Sequence, residues 1–295
     1  MARRKVAPSP QQSFVEEEFV MDGVFSNPQL SDKIKQYWCE RAGATEPTSV
    51  QATTYDVYLR ELEISTLKER IAAASLQPGA SVIDLGCGDG YSTTSLAAFF
   101  PTIRFIGVDW SEEMLALARQ RASAQDSPPD MVSFRVGDMR DLSGSLQSEK
   151  FEAFLTMRSL INLTTSEEQY GTIAQIAEHL VPGGYYFGIE NFVQGQNNFN
   201  RMRVAVGLPE IPVRWHNHFF EEETFMAETS KLFDSVAIES FSSSYYLATR
   251  VIYSAGCYLE GVEPDYFHPI HRTAGKLPAF GDFSPIKLVC ARRKL

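Results

Sequence analysis

Between Val82 and Tyr91 the chain reads V-I-D-L-G-C-G-D-G-Y, an apolar run and an acid, then glycines at 86, 88 and 90, directly ahead of a helix-like segment. Glycine at every second position lets the backbone turn sharply and present amides at a helix N-terminus, where a side chain would obstruct a nucleotide-like ligand. A strand, a tight glycine turn and a helix in that order make the first unit of an alternating α/β chain. Spacing narrows the ligand. A dinucleotide turn carries G-x-G-x-x-G, whereas Gly86, Gly88 and Gly90 form G-x-G-x-G with Asp84 two residues ahead.

Three further features follow. Phe105 to Asp109 (F-I-G-V-D) is an apolar strand ending in an acid, with Trp110 beside it. Val132, Phe134 and Val136 alternate as on a half-buried strand, closed by Gly137-Asp138-Met139. Leu180 to Asn191 leaves a helix at Pro182-Gly183-Gly184 and enters an aromatic strand. That helix is signalled by a capping-box pair, Ser166 and Gln169, and by Tyr170, Ile173, Ile176 and Leu180 at helical spacing.

In this order the motifs resemble those of the class I, Rossmann-like S-adenosylmethionine-dependent methyltransferases that act on small molecules. The specific motifs lie between Val82 and Asn191, and the outline extends from about Ser65 to Leu295. The resemblance implies an α/β fold: a doubly wound, mainly parallel seven-stranded sheet with an antiparallel C-terminal hairpin, an N-terminal helical lid and a helical insert near the C-terminus. It implies S-adenosylmethionine as cofactor, with Asp84, Gly86, Cys87, Gly88 and Gly90 forming the loop around it. Asp109 matches the acid that accepts the ribose hydroxyls, and Trp110 the group along the adenine. Asp138 matches the acid on the adenine amino group, with the next N–H, that of Met139, meeting the ring; Met157 ends the fourth strand beside the donor. Competing readings make Asp109 a helix cap before Ser111-Glu112-Glu113 and Asp138 a turn aspartate, with Asp141 as the rival acid.

Methyl transfer asks little of the protein, because the sulfonium carbon is already activated. The acceptor must be aligned, desolvated and relieved of any proton it carries. Acceptor residues are expected at the C-terminal ends of the strands and in the insertions. Arg158 and Asn162 follow the fourth strand, Phe151 to Met157, and Arg158 suits a carboxylate or phosphate unless it is a surface arginine paired with Glu167 or Glu168. Glu190 and Asn191 end the fifth strand, where a carboxylate positions an amine, takes a hydroxyl proton, or merely caps the next loop. Arg214, His216 and His218, in P-V-R-W-H-N-H-F-F, are expected to form a pocket wall with one histidine as base, against a loop simply packed by Trp215 and Phe219. His216, His218, Glu190 and Arg158 are thus the catalytic candidates. Arg158, Asn162, Asn191 and Arg214 are the substrate-binding ones, joined by Tyr55 and Arg60 of a lid helix that also carries Asp56 and Glu63. Solvated charges on an amphipathic helix account for those four equally well. No metal is expected, because His216/His218 and His268/His271 lack a third ligand.

The 295 residues, 44% hydrophobic, suffice for one large core. Residues 1–13 are expected to be disordered, 14–76 to form the helical lid, and 77–295 the catalytic domain with insertions at about 192–220, polar and loop-like, and 243–282, aromatic and helical. A net charge of -10 argues against nucleic acid as partner. No apolar run is long enough for a membrane span, and the four cysteines make no C-x-x-C pair, so a cytoplasmic protein with a small-molecule substrate, and a homodimer as its possible assembly, is expected. The rivals are a nicotinamide-dependent oxidoreductase and a non-catalytic S-adenosylmethionine-binding regulator or partner subunit.

Overall fold

The structure, a computed structural model, describes residues 28–44, 52–125, 127–128 and 130–295. Residues 1–13 and the part of the helical lead-in from 14 to 27 lie outside the described residues. Two helices, α1 (Pro28–Gly43) and α2 (Val57–Ala74), precede the sheet. Strand β1 (Ser81–Leu85), α3 (Tyr91–Phe99), β2 (Arg104–Asp109), α4 (Glu112–Ala124), β3 (Val132–Val136), α5 (Leu142–Leu146), β4 (Phe151–Met157), α6 (Ser166–His179) and β5 (Leu180–Asn191) then alternate. The chain continues through α7 (Val193–Ala205), α8 (Glu222–Thr229) and β6 (Phe233–Glu239) to α9 (Ser243–Tyr246), a π-helical turn Leu247–Tyr253, α10 (Ser254–Glu260), α11 (Pro269–Ala274) and β7 (Ile286–Arg293).

The strands form one seven-stranded sheet in the order β3-β2-β1-β4-β5-β7-β6. β1 to β5 run parallel, and β7 lies antiparallel between β5 and β6. β1 is central and buried along its whole length, which is why Val82, Ile83 and Leu85 do not alternate with exposed polar residues. Two apolar clusters cover the faces. One joins Ile83, Phe154 and Tyr186 to α5, α6 and α8; the other joins Val82, Phe105 and Leu155 to α2, α3 and the C-terminal insert. No helix among the described residues is long and apolar enough to cross a membrane.

Two local expectations are corrected. Residues 194–205 are helical rather than loop-like. The buried face of α7 carries Gln196 and Arg203 beside Phe199, and these polar groups bond the carbonyls of Ile211 and Pro209, so the helix shows no hydrophobic period. The cap of α6 sits one residue early. Thr165 accepts the Glu168 N–H at 3.1 Å and Glu168 accepts the Thr164 N–H at 2.8 Å. Gln169 instead reaches inward to the carbonyls of Leu160 and His218.

Asp89 ties the first half together. Its carboxylate, 0% exposed, takes the guanidinium of Arg60 from α2 at 2.6 Å and that of Arg121 from α4 at 3.0 Å. Arg121 also donates to the Asp89 carbonyl at 3.0 Å, and the ring of Tyr91 lies 4.1 Å and 5.4 Å from the two guanidinium carbons. Asp89→Ala leaves two buried cations without their shared anion. Destabilisation of about 3–5 kcal/mol is expected, read from the urea midpoint; a loss under about 1 kcal/mol, the scale of an exposed pair, would show that the network is solvated.

Candidate functional site

The glycine turn after β1 is built from backbone bonds. The N–H groups of Gly86 and Cys87 both go to the Val108 carbonyl, that of Gly88 goes to Asp109 Oδ2 at 2.9 Å, and that of Gly90 to the Cys87 carbonyl. The amides are therefore spent within the protein, and the turn offers a ligand a floor without side chains rather than a cradle of free donors. Gly86 and Gly88 have φ of +73° and +54°, where an L side chain is strained. A Cβ on Gly86 would sit 2.4 Å from the Ser159 Cβ, so that glycine is demanded by the turn after β4. Gly88 lines a cavity of about 360 Å³, and its Cβ would meet only Thr53, at 3.2 Å. Gly90 is absent from the cavity wall and abuts Ala118 instead.

Asp109 stands at the floor of this cavity. Its Oδ1 accepts the Ser111 N–H at 2.9 Å, while Ser111 Oγ caps α4, so the cap and the acid are separate residues. Burial pushes the carboxyl up to about 6, against the backbone donors of Ser111, Gly88 and Trp110. Trp110, Asp138 and Met139 line the same end. Asp138 is paired with Arg140 at 2.6 Å, which holds its carboxyl below the usual range despite partial burial. Asp141 caps α5 through the Gly144 N–H at 2.9 Å and does not reach the cavity. Asp84 is also turned away: its Oδ2 accepts the hydroxyls of Ser92 and Thr93 at 2.6 and 2.7 Å, fixing the first turn of α3.

At the other end, Met157 and Arg158 leave β4. Arg158 has φ of +55°, uncommon for a side chain of this size, and donates its N–H to the Ile189 carbonyl at 2.6 Å. Its guanidinium pairs not with Glu167 or Glu168 but with Glu63 of α2, at 3.1 Å, and Glu63 is 0% exposed. Asp56, Arg60 and Glu63 are thus buried rather than solvated. Asp56 caps α2 and at the same time accepts from Tyr245 Oη at 2.6 Å and from Arg250, both in the C-terminal insert. Sequence reasoning missed Asp89, a non-glycine position inside the glycine turn, and Tyr246 and Arg250, which belong to a segment read only as an aromatic insert.

The remaining candidates divide. Asn162 lines the cavity, but its amide is held at both ends, by the Arg158 carbonyl and by Trp38 of α1 at 3.1 Å. Asn191, Arg214, His216 and Tyr55 line it as well. His216 stacks on Tyr37 at 4.8 Å, and burial with the nearby Arg214 and Arg41 charges lowers its pKa to about 4. Asn191 Oδ1 and His216 Nδ1 are buried without a hydrogen-bond partner among the described residues. His218 and Glu190 are corrections. His218 Nε2 bonds Ser166 Oγ at 3.0 Å, and Glu190 Oε1 accepts the Leu160 N–H at 3.2 Å, so both side chains hold the chain after β4 instead of facing the cavity. No group of three or more metal-ligating side chains occurs among the described residues.

Residues 82–184 match the family described as a methyltransferase domain. The trans-aconitate 2-methyltransferase of Deinococcus radiodurans is 38% identical over 37% of this chain and 36% of its own. The dTDP-3-amino-3,4,6-trideoxy-alpha-D-glucopyranose N,N-dimethyltransferase of Streptomyces venezuelae is 36% identical over 36% of this chain and 40% of its own. The chain thus spans well under two thirds of these curated relatives. Among solved structures, the magnesium protoporphyrin IX methyltransferase of Synechocystis PCC 6803 with bound SAH aligns over 90% of this chain and 98% of its own, with a TM-score of 0.56 and 14% identity. The fold is therefore that of the class I methyltransferases.

Burial pushes the Glu190 carboxyl up to about 7 from an ordinary 4.5. A carboxyl whose pKa is higher folded than unfolded stabilises below its unfolded value, and that contribution is lost as pH rises through the folded one. Glu190→Gln keeps the acceptor for Leu160 and removes the titration. Between pH 5 and pH 8 the variant is expected to lose less stability than the parent; equal slopes in urea unfolding would show that Glu190 is not held protonated by the fold.

Proposed function

We propose that this methyltransferase-domain chain transfers a methyl group from S-adenosylmethionine to a nitrogen or oxygen of a small polar molecule. The observation that carries the reading is convergence. A side-chain-free glycine floor, the acids Asp109 and Asp138 and the Trp110 ring open into the same cavity as Arg158, Asn191 and Arg214. In this reading Asp109 takes the ribose hydroxyls, Asp138 and the Met139 N–H take the adenine edge, and Gly86, Cys87, Gly88 and Met157 surround the rest of the donor. Bound there, the donor supplies an activated methyl carbon. Arg158, Asn191, Arg214 and His216, with Tyr55 and Arg60 of the lid, then bind and desolvate the acceptor. The insert and α1 flank the donor and limit its contact with water, which protects the sulfonium and strengthens the polar contacts. Nicotinamide chemistry is not favoured, because the turn has methyltransferase spacing and the matched domain is a methyltransferase domain.

The named relatives act on an organic acid in one case and an amino sugar in the other, which makes trans-aconitate and amino-sugar nucleotides the first acceptors to try. Calorimetry is expected to show binding of S-adenosylmethionine and none of NAD. Asp109→Ala is expected to weaken donor binding by about 1.5–3 kcal/mol, the scale of hydrogen bonds to a charged group. Asp138→Ala is expected to cost less, since Arg140 already satisfies part of that carboxylate. Unchanged donor affinity in folded Asp109→Ala would remove the basis of the reading.

A further inference from the structure

Beyond the donor end, the cavity wall is closed by Tyr246 and Arg250 of the insert together with Phe199 of α7. The Tyr246 ring meets Phe199 edge-on at 5.4 Å and lies 5.7 Å from the Arg250 guanidinium. Its hydroxyl makes no hydrogen bond to any described residue. Burial pushes the phenol up to about 12 while the nearby Arg250 and Arg158 charges pull it back, so at neutral pH it is a donor without an acceptor.

Charge on the wall is distributed in pairs. Arg60 has Asp89, Arg140 has Asp138, Arg158 has Glu63 and Arg250 has Asp56. Arg214, exposed at the mouth, has no acid partner among the described residues. A guanidinium without an acid partner and a phenol O–H without an acceptor together suit an anionic oxygen group on the ligand. S-adenosylmethionine does not account for this cation, since its sulfonium and ammonium outweigh its carboxylate.

Among the described residues, the acceptor end of the wall holds no free group suited to removing a proton: Asp109 and Asp138 stand at the donor end, and Asp56 is paired with Arg250. Glu190 and His218 are bonded away from the cavity, and His216, though neutral at pH 7, is a weak base with its pKa near 4. A hydroxyl or an ammonium acceptor must lose a proton; a carboxylate has none to lose.

We propose that the methyl acceptor is a carboxylate oxygen of a small organic acid, held by Tyr246 Oη and the Arg158 guanidinium and drawn in by Arg214. This rests on the donor reading above. An oxygen lone pair forms the new O–C bond as the C–S bond breaks, and the bonding pair stays on sulfur. The carboxylate and sulfonium charges disappear together, no proton moves, and the products are a methyl ester and S-adenosylhomocysteine.

The test uses the full chain loaded with S-adenosylhomocysteine, whose own binding is measured first. Calorimetric titration compares malonate, glutarate and tricarballylate with their amides. At least one acid is expected to bind tenfold or more tighter than its amide. Tyr246→Phe and Arg214→Gln are each expected to lower that preference at least threefold while S-adenosylhomocysteine affinity stays within twofold. With methyl-labelled S-adenosylmethionine, the label in any product is expected to be released as volatile methanol by mild alkali. Acids binding no better than amides, an unmoved preference in both variants, or an alkali-stable N-methyl product would overturn the proposal. Failure of S-adenosylhomocysteine to bind at all would instead overturn the donor reading.

Discussion

The buried carboxylate of Asp89 is the point on which the site depends. It lies within the glycine turn and receives one guanidinium from α2 and another from α4. Buried pairs of this kind add little net stability, because desolvation offsets most of their attraction. What they fix is geometry: with both arginines committed to one acid, α2 and α4 are set against the turn in a single register. Arg60 is both an arm of this network and part of the cavity wall, so the glycine floor of the cavity and α2 are positioned by the same contact.

Helix α2 carries that order across the cavity. Asp56 at its start, Arg60 one turn on and Glu63 nearly another turn beyond face one side, and each is bonded to a different element: the insert, the glycine turn and the end of β4. A helix with three charges on its buried side would be costly if any were unpaired. Here the charges are matched, and α2 acts as a strut between the glycine turn, the end of β4 and the insert. The strained backbone of Arg158 belongs to this arrangement, since Glu63 on one side and the Ile189 carbonyl on the other hold it in place.

Polar groups that the sequence placed near the chemistry also serve as scaffolding. Glu190 secures the turn after β4, His218 fastens to the start of α6, and Asp84 braces α3. Each is a titratable group at a strand end or in an insertion, where functional residues also gather, and sequence position alone does not tell inward from outward. The distinction lies in which neighbouring backbone groups need a partner.

The sequence by itself determined the alternation of strands and helices, the glycine turn and the acids at the strand ends, because these are local signals that survive being read one segment at a time, whereas the antiparallel hairpin followed only from the resemblance those motifs carry. It also placed Tyr55, Asp56, Arg60 and Glu63 together on one lid helix, but left them balanced between function and solvation. Tertiary structure decided that balance by supplying partners from distant segments: Asp89 for Arg60, the insert for Asp56, Arg158 for Glu63. It alone decided that α7 is a helix, that His216 faces the cavity while His218 does not, and that Tyr246 presents a free hydroxyl there. Burial and pairing are properties of contacts between residues far apart in the chain, and no local pattern records them.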